Sequence, residues 1–176
     1  NSTAEFNVAG IEIENSMNAD VFDNVATHNA GGVLVFDLPG LPQMGGHSTR
    51  VFRNRIVQND TPNFAPKGNI VASVPTGTGV MVMANRDVHV FDNDIDANQS
   101  AAVLLVAYQK TFTDPNYNPL PRAIAVTGNR IGRNGWAPQF PGGAELAAAV
   151  GGVLPPIVWD GVVTDPRTGA ISPETG

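Results

Sequence analysis

Gly10-Ile11-Glu12-Ile13-Glu14-Asn15-Ser16-Met17-Asn18-Ala19-Asp20-Val21-Phe22-Asp23-Asn24 is the stretch whose reading decides the fold. Ile11 and Ile13 alternate with Glu12 and Glu14, the period-2 signature of a strand with one buried face. The stretch ends in Val21-Phe22-Asp23-Asn24, and this ending returns. Val51-Phe52-Arg53-Asn54 and Val90-Phe91-Asp92-Asn93 repeat it, and Val126-Thr127-Gly128-Asn129 is an altered copy. Each copy runs on to a second asparagine: Asn29, Asn59, Asn98 and Asn134. Asparagine tolerates left-handed backbone at a corner, and its amide can bond neighbouring main chain.

Laying Asn7-Val8-Ala9-Gly10 over Asn29-Ala30-Gly31-Gly32 gives a period of about 22 residues, in the range of parallel β-helix and leucine-rich coils. The leucine scaffold of the second class is absent. Apolar runs recur at Gly32-Val33-Leu34-Val35-Phe36, Gly79-Val80-Met81-Val82-Met83 and Ala102-Val103-Leu104-Leu105-Val106. Alternate residues of these runs fill the inside of a coil, and stacked coils bring equivalent residues to about 4.8 Å. The stacking places Asp23, Arg53, Asp92 and Gly128 in one column, and Val25, Arg55, Asp94 and Arg130 in another. Opposite charges then face each other, as cross-strand pairing prefers. Asp92, Asp94 and Asp96 therefore read as a salt-bridge ladder before they read as a calcium site. Phe22, Phe52 and Phe91 form an outward column. It is read first as a stiffening stack, with a sugar platform as the sharper alternative.

Composition sets the limits. The 176 residues suit a single domain. A formal charge of −6, with no basic cluster, argues against a nucleic-acid partner. There is no cysteine, so disulfides and thiolate metal sites are excluded. No apolar run is long enough to span a bilayer.

The Gly10–Asn24 stretch resembles the PbH1-type repeat of right-handed parallel β-helix proteins, G-[IV]-x-[IV]-x-N-S-x-N-x-x-V-x-x-N, throughout its length. The resemblance covers residues 1–135. Segments such as Asn69-Ile70-Val71-Ala72-Ser73-Val74-Pro75-Thr76-Gly77-Thr78-Gly79 look like the bacterial parallel β-helix repeat-containing group. It implies an all-β fold: a right-handed, single-stranded parallel β-helix of pectate-lyase-like architecture. It also implies a secreted or periplasmic, hence extracytoplasmic, protein that handles polysaccharide. The local signatures of pectate lyases, polygalacturonases and alginate epimerases are missing, so the sequence leaves open whether the chain is an enzyme.

By the 22-residue register Asn1 aligns with Asp23, so the chain opens in mid-coil, and the expectation is a piece of a longer helix. Residues 136–176 are expected to form a short mixed appendage that covers the last coil or an outer face. Ala144–Val150 reads as a helix, Ile157–Val163 as a strand with a turn at Asp160-Gly161, and the polar tail from Arg167 as frayed.

Insertions at 37–48, 60–78 and 107–121 are loops on a rigid scaffold, where function concentrates. They supply the candidate catalytic residues His47, Asp37 and Asp114, joined by Arg122. They also supply the candidate substrate contacts Lys67, Tyr108, Phe112 and Tyr117. Aromatics stack sugars, cations meet uronate carboxylates, and a histidine or a carboxylate pair serves as acid and base. His28 and His89 read as surface residues. No histidine pair has metal-ligand spacing, and no metal or cofactor is expected. The outward row Leu34, Phe36, Met81 and Met83 needs cover; residues 144–163 are the expected cover, and a homo-oligomer contact the alternative. The functional expectation is a carbohydrate-binding or carbohydrate-modifying β-helix of lyase, epimerase or hydrolase class, acting on an extended polysaccharide. The alternative is a non-catalytic scaffold or cell-surface interaction protein.

Overall fold

Short runs rich in Val and Ile, punctuated by Asn and Gly, fold as a series of short strands. A computed structural model describes residues 1–165 and 167–169. In chain order the strands are β1 (Thr3–Ala4), β2 (Ala9–Glu14), β3 (Asp20–Phe22), β4 (Val25–Thr27), β5 (Gly31–Phe36), β6 (His47–Phe52) and β7 (Arg55–Val57). There follow β8 (Thr78–Met83), β9 (Arg86–Phe91), β10 (Asp94–Asp96), β11 (Ala101–Val106), β12 (Arg122–Thr127), β13 (Arg130–Ile131) and β14 (Ile157–Trp159). A 3₁₀ turn covers Ile70–Ser73, and the helix α1 covers Gly143–Ala149.

The strands form three parallel sheets. Sheet A is β1-β4-β7-β10-β13, sheet B is β2-β5-β8-β11-β14, and sheet C is β3-β6-β9-β12. From β1 onward the chain visits B, C and A in turn, and each return lands beside the strand laid down one circuit earlier. This mostly-β arrangement of stacked parallel strands is compatible with a β-helix. The register puts Phe22 beside Phe52 and Phe52 beside Phe91, and it puts Val25, Arg55, Asp94 and Arg130 in one column.

The interior is filled mainly by Val and Ile. Val33, Val35, Val80, Val82 and Val103 point in from sheet B, Val51, Val88 and Val90 from sheet C, and Ala26, Ile56 and Ile95 from sheet A; all are fully buried. Each valine or isoleucine so placed is worth about 1.5–3 kcal/mol over exposure. The corners are held by two asparagine ladders. Asn24, Asn54, Asn93 and Asn129 form one, and Asn7, Asn29, Asn59, Asn98 and Asn134 the other. In each step the main-chain N–H and the side-chain amide both donate to the next asparagine's Oδ1. The residue before the ladder is left-handed: Asp23, Arg53, Asp92 and Gly128 have φ of 56°, 52°, 54° and 64°. The repeated glycine that opens the sheet B strands is explained by crowding. A Cβ on Gly32 would lie 2.7 Å from the Gly79 carbonyl oxygen of the next coil, and one on Gly79 only 2.5 Å from that of Ala102.

Sheet B carries a second core on its outer face. Leu34, Phe36, Met81 and Met83, the row expected to need cover, are buried beneath Val74 of the 58–77 loop and Tyr117 of the 107–121 loop. Ala147 of α1 and Leu154 complete the cover. The expected cover by 144–163 is thus correct in part, and two loops share the task. The row is covered by its own chain except at a slot above Met81 and Met83, so it is not the open apolar face from which a homo-oligomer contact was expected. The helix forms at Gly143–Ala149, one residue earlier than read, and ends where the Gly152 N–H bonds the Ala147 carbonyl. The expected strand stops at Trp159. There Asp160 accepts the Val162 N–H and Gly161 turns with φ 73°. Arg167, expected to fray, is anchored: it donates to the carbonyls of Asp114 and Tyr117 and lies 4.5 Å from the Phe112 ring centre. The tail 170–176 lies outside the described residues. Among the described residues no helix is long and apolar enough to cross a membrane.

Candidate functional site

The outer face of sheet C presents an open polar cleft of about 270 Å³, lined by Asn18, Asp20, Ser48, Arg50, Asp87 and His89. Strand register creates it. Asp20, Arg50 and His89 are paired neighbours on β3, β6 and β9. Two residues earlier stand Asn18, just before β3, and Ser48 and Asp87, on β6 and β9, all left-handed with φ of 56°, 58° and 52°. Side chains two residues apart share one face of a strand, so both reach solvent while the intervening Thr49 and Val88 stay buried.

The cleft groups hold one another. The Ser48 hydroxyl donates to Asp87 Oδ2 at 2.7 Å. Its oxygen therefore accepts from His47 Nδ1 at 2.9 Å, which fixes the proton of His47 on that nitrogen. His89 donates from Nε2 to Asp87 Oδ1 at 3.1 Å. On the other wall Arg50 grips Asp20 with two bonds, Nε to Oδ1 at 2.7 Å and Nη2 to Oδ2 at 2.6 Å. The bonds from Ser48 and His89 hold the Asp87 carboxyl below its ordinary range, and the Arg50 bond does the same for Asp20. Both carboxyls are thus acceptors at neutral pH.

Beside the cleft runs the aromatic column. Phe22 and Phe52 lie 5.2 Å apart with an 11° interplanar angle, and Phe52 and Phe91 lie 5.0 Å apart at 5°. Rings stacked on one another spend their faces on each other and turn edges to solvent. The column is a stiffening stack rather than a series of sugar platforms. Arg53 lies against Phe52, 4.8 Å from its centre, while bonding Asp23 with two bonds of 2.8 Å. Asp94 pairs with Arg130 as the charge columns led one to expect, whereas Arg53 pairs with Asp23 rather than Asp92, and Asp96 accepts the main-chain N–H of Arg133.

The loop residues singled out from sequence do not meet in one groove. His47 reaches the cleft only through its bond to Ser48, and it begins strand β6 instead of lying in a flexible loop. Asp37 is buried, with Oδ2 and Oδ1 accepting the N–H groups of Gly45 and Gly46 at 3.0 and 2.9 Å. It ties the 37–46 loop shut. Arg122 is buried at the start of β12 and bonds the Leu120 carbonyl at 3.0 Å. Asp114 accepts the Asn116 N–H at 2.9 Å, a turn contact on the distant 107–121 loop. Tyr108, Phe112 and Tyr117 pack edge-to-face with one another, 4.9–6.0 Å between centres. The Tyr117 hydroxyl donates to the Asp37 carbonyl at 2.7 Å, and burial pushes its acidity far out of reach. Lys67 is exposed in the 58–77 loop.

Sequence reasoning missed Asn18, Ser48 and Asp87. The signal was present. Once His89 is placed in the column of Asp20 and Arg50, stepping back two residues in each copy yields all three. Among the described residues no group of three His, Asp or Glu side chains is arranged to hold a metal. Comparison of the chain with family profiles, with curated proteins and with solved structures finds no match in any of the three.

Proposed function

We propose that the chain is a right-handed parallel β-helix that binds an extended, hydroxyl-rich polysaccharide along the outer face of sheet C. The hand follows from the strong preference of parallel crossovers for right-handed connection, together with the PbH1-type resemblance of Gly10–Asn24. An extracytoplasmic, secreted or periplasmic location belongs to the same proposal.

The observation that carries the reading is the cleft itself. It combines a bidentate Arg50–Asp20 pair with the Ser48–Asp87–His89 chain, which His47 extends behind Ser48, and both stand on paired strands. Carboxylate, guanidinium and imidazole groups locked in place are pre-organised for vicinal hydroxyls, which both donate and accept. At about 270 Å³ the cleft is smaller than the usual pocket for a free ligand of roughly 300–1,000 Å³. It suits one unit of a polymer that continues along the face. Two-carboxylate hydrolysis needs one protonated acid, and both cleft carboxyls are held ionised. Binding is therefore the reading the cleft supports best, and His47 and His89 are the cleft groups through which a proton could move in any turnover. A non-catalytic scaffold is the second reading, favoured by the structural bonds that occupy Asp37, Asp114 and Tyr117.

The test is calorimetric titration against a panel of polyuronates and neutral glycans, with mass spectrometry of the recovered glycan. At least one polysaccharide is expected to bind. Arg50→Ala and Asp87→Asn are expected to weaken it at least tenfold, while Arg55→Ala on sheet A leaves it unchanged. A panel without binding, or equal effects of all three variants, rejects the proposal.

A further inference from the structure

A second cavity, which shares no residue with the sheet C cleft, opens on the outer face of sheet B and encloses about 480 Å³. It exists because the cover of that face is divided. The 3₁₀ turn at Ile70–Ser73 lies over one side and Phe140 and α1 over the other, leaving a slot between them. The floor is Met81, Met83, Leu104 and Val106, which occupy equivalent positions on β8 and β11. Methionines make such a floor adaptable, since their unbranched side chains reshape at little cost. At the rim stand Leu146 and Trp159, 42% and 49% exposed, two large apolar side chains left in water.

The charge at the mouth selects the ligand. Asp160 lies there too and keeps its charge, but both its oxygens are turned to the chain: Oδ2 accepts the Ala107 N–H at 2.7 Å and the Gln109 amide at 3.3 Å, and Oδ1 accepts the Val162 N–H at 3.0 Å, so it is fixed in place while Lys110 is the charged donor left to meet a ligand. Lys110 is also at the mouth, exposed, and without an ion-pair partner among the described residues. An apolar slot with one available cation at its opening is complementary to an alkyl chain with an anionic head. We propose that this cavity binds a long-chain aliphatic carboxylate, its chain along Met81, Met83 and Leu104 and its head at Lys110. The site is independent of the polysaccharide face.

The experiment is calorimetric titration of the full chain with a series of straight-chain carboxylates from octanoate to palmitate, each below its micelle concentration. Affinity is expected to rise about fourfold per added methylene until the slot is full. Val106→Phe, which fills the slot, is expected to shorten the best-bound chain. Lys110→Glu is expected to weaken decanoate roughly tenfold, a surface attraction replaced by a repulsion of similar size. Decanol binding should be unaffected by that change, and Lys67→Glu should alter neither ligand. Absence of saturable binding, or affinity that ignores chain length, overturns the site. Equal binding of decanol and decanoate, with no effect of Lys110→Glu, overturns the assignment of a carboxylate. Lys110 lies on the surface, so its variant decides the matter even where Val106→Phe fails to fold.

Discussion

Replacing Asn59 by alanine removes one rung of a buried ladder, and the structure allows the cost to be worked out. Asn59 is fully buried. Its Oδ1 accepts the main-chain N–H and the side-chain amide of Asn29 at 3.2 and 3.1 Å. Its Nδ2 donates to the Ala26 carbonyl at 3.3 Å and to Asn98 Oδ1 at 2.9 Å. Each such bond contributes about 1 kcal/mol net, and each partner left buried without a replacement costs about 1–3 kcal/mol. Two of the four keep other partners, Asn98 Oδ1 the Asn59 main-chain N–H and Asn29 Nδ2 the Ala4 and Thr27 carbonyls, while the Asn29 main-chain N–H loses its acceptor, so a loss of about 3 kcal/mol is expected, a large share of the roughly 5–15 kcal/mol of a typical domain. Asn7, at the start of the same ladder, is the internal control. Its side chain makes two bonds, to the Glu5 carbonyl and to Asn29 Oδ1, in a partly exposed setting. Asn7→Ala should cost about 1 kcal/mol. Equilibrium urea unfolding followed by circular dichroism measures both. Equal losses for the two variants, or a loss below about 1 kcal/mol for Asn59→Ala, would refute the view that the ladder holds the coils in register.

Gly32→Ala drives a Cβ to 2.6 Å from Ile56 Cγ2 and 2.7 Å from the Gly79 oxygen, and should lower stability by about 1–3 kcal/mol in the same assay. Tyr117→Phe deletes the hydrogen bond to the Asp37 carbonyl and should cost about 1–3 kcal/mol while leaving glycan titrations unchanged. Glu12 pairs in register with Leu34, and desolvation together with Glu14 raises its carboxyl above the ordinary range. Its folded form holds the proton more tightly than its unfolded form, so its contribution is complete below the unfolded pKa and is lost as pH rises through the folded one. Glu12→Gln should therefore gain melting temperature over the parent at neutral pH and lose that advantage on acidification. Asp20 behaves oppositely, since Arg50 lowers its pKa. The contribution of that pair is present above the unfolded value and fades as pH falls through the folded value, which Asp20→Asn should abolish in a pH-dependent melting series.

The layers of this chain differ in how legible they are. The Val-Phe-x-Asn copies carry the register in the sequence itself, because a side chain that must face a buried coil can repeat only at equivalent positions. Phe22 over Phe52, and Asp20 beside Arg50, follow from the alignment alone. The roles of the loops did not follow. Asp37 and Tyr117 lie 80 residues apart in sequence and meet because two insertions leave the same corner of the stack. Nothing local in Asp37-Leu38-Pro39-Gly40 announces that the carboxylate turns inward to close its own loop. His47 was misplaced because Gly45-Gly46 reads as flexible, whereas Asp37 pins both glycine N–H groups and delivers His47 straight into β6. The cavity over sheet B depends on how two separate covers divide one face, a property of packing that carries no periodic signal.

The three histidines make the proposed glycan face directly measurable. His47 and His89 belong to the cleft network on sheet C. His28 stands apart, bonded to Asp60 and stacked on Phe6 at 5.6 Å. Imidazole Cε1–H resonances followed by NMR while an oligosaccharide of the bound polymer is added should move for His47 and His89 and stay fixed for His28. A shift of His28 alone, or no movement of any imidazole at saturating ligand, would contradict the assignment of sheet C as the binding face.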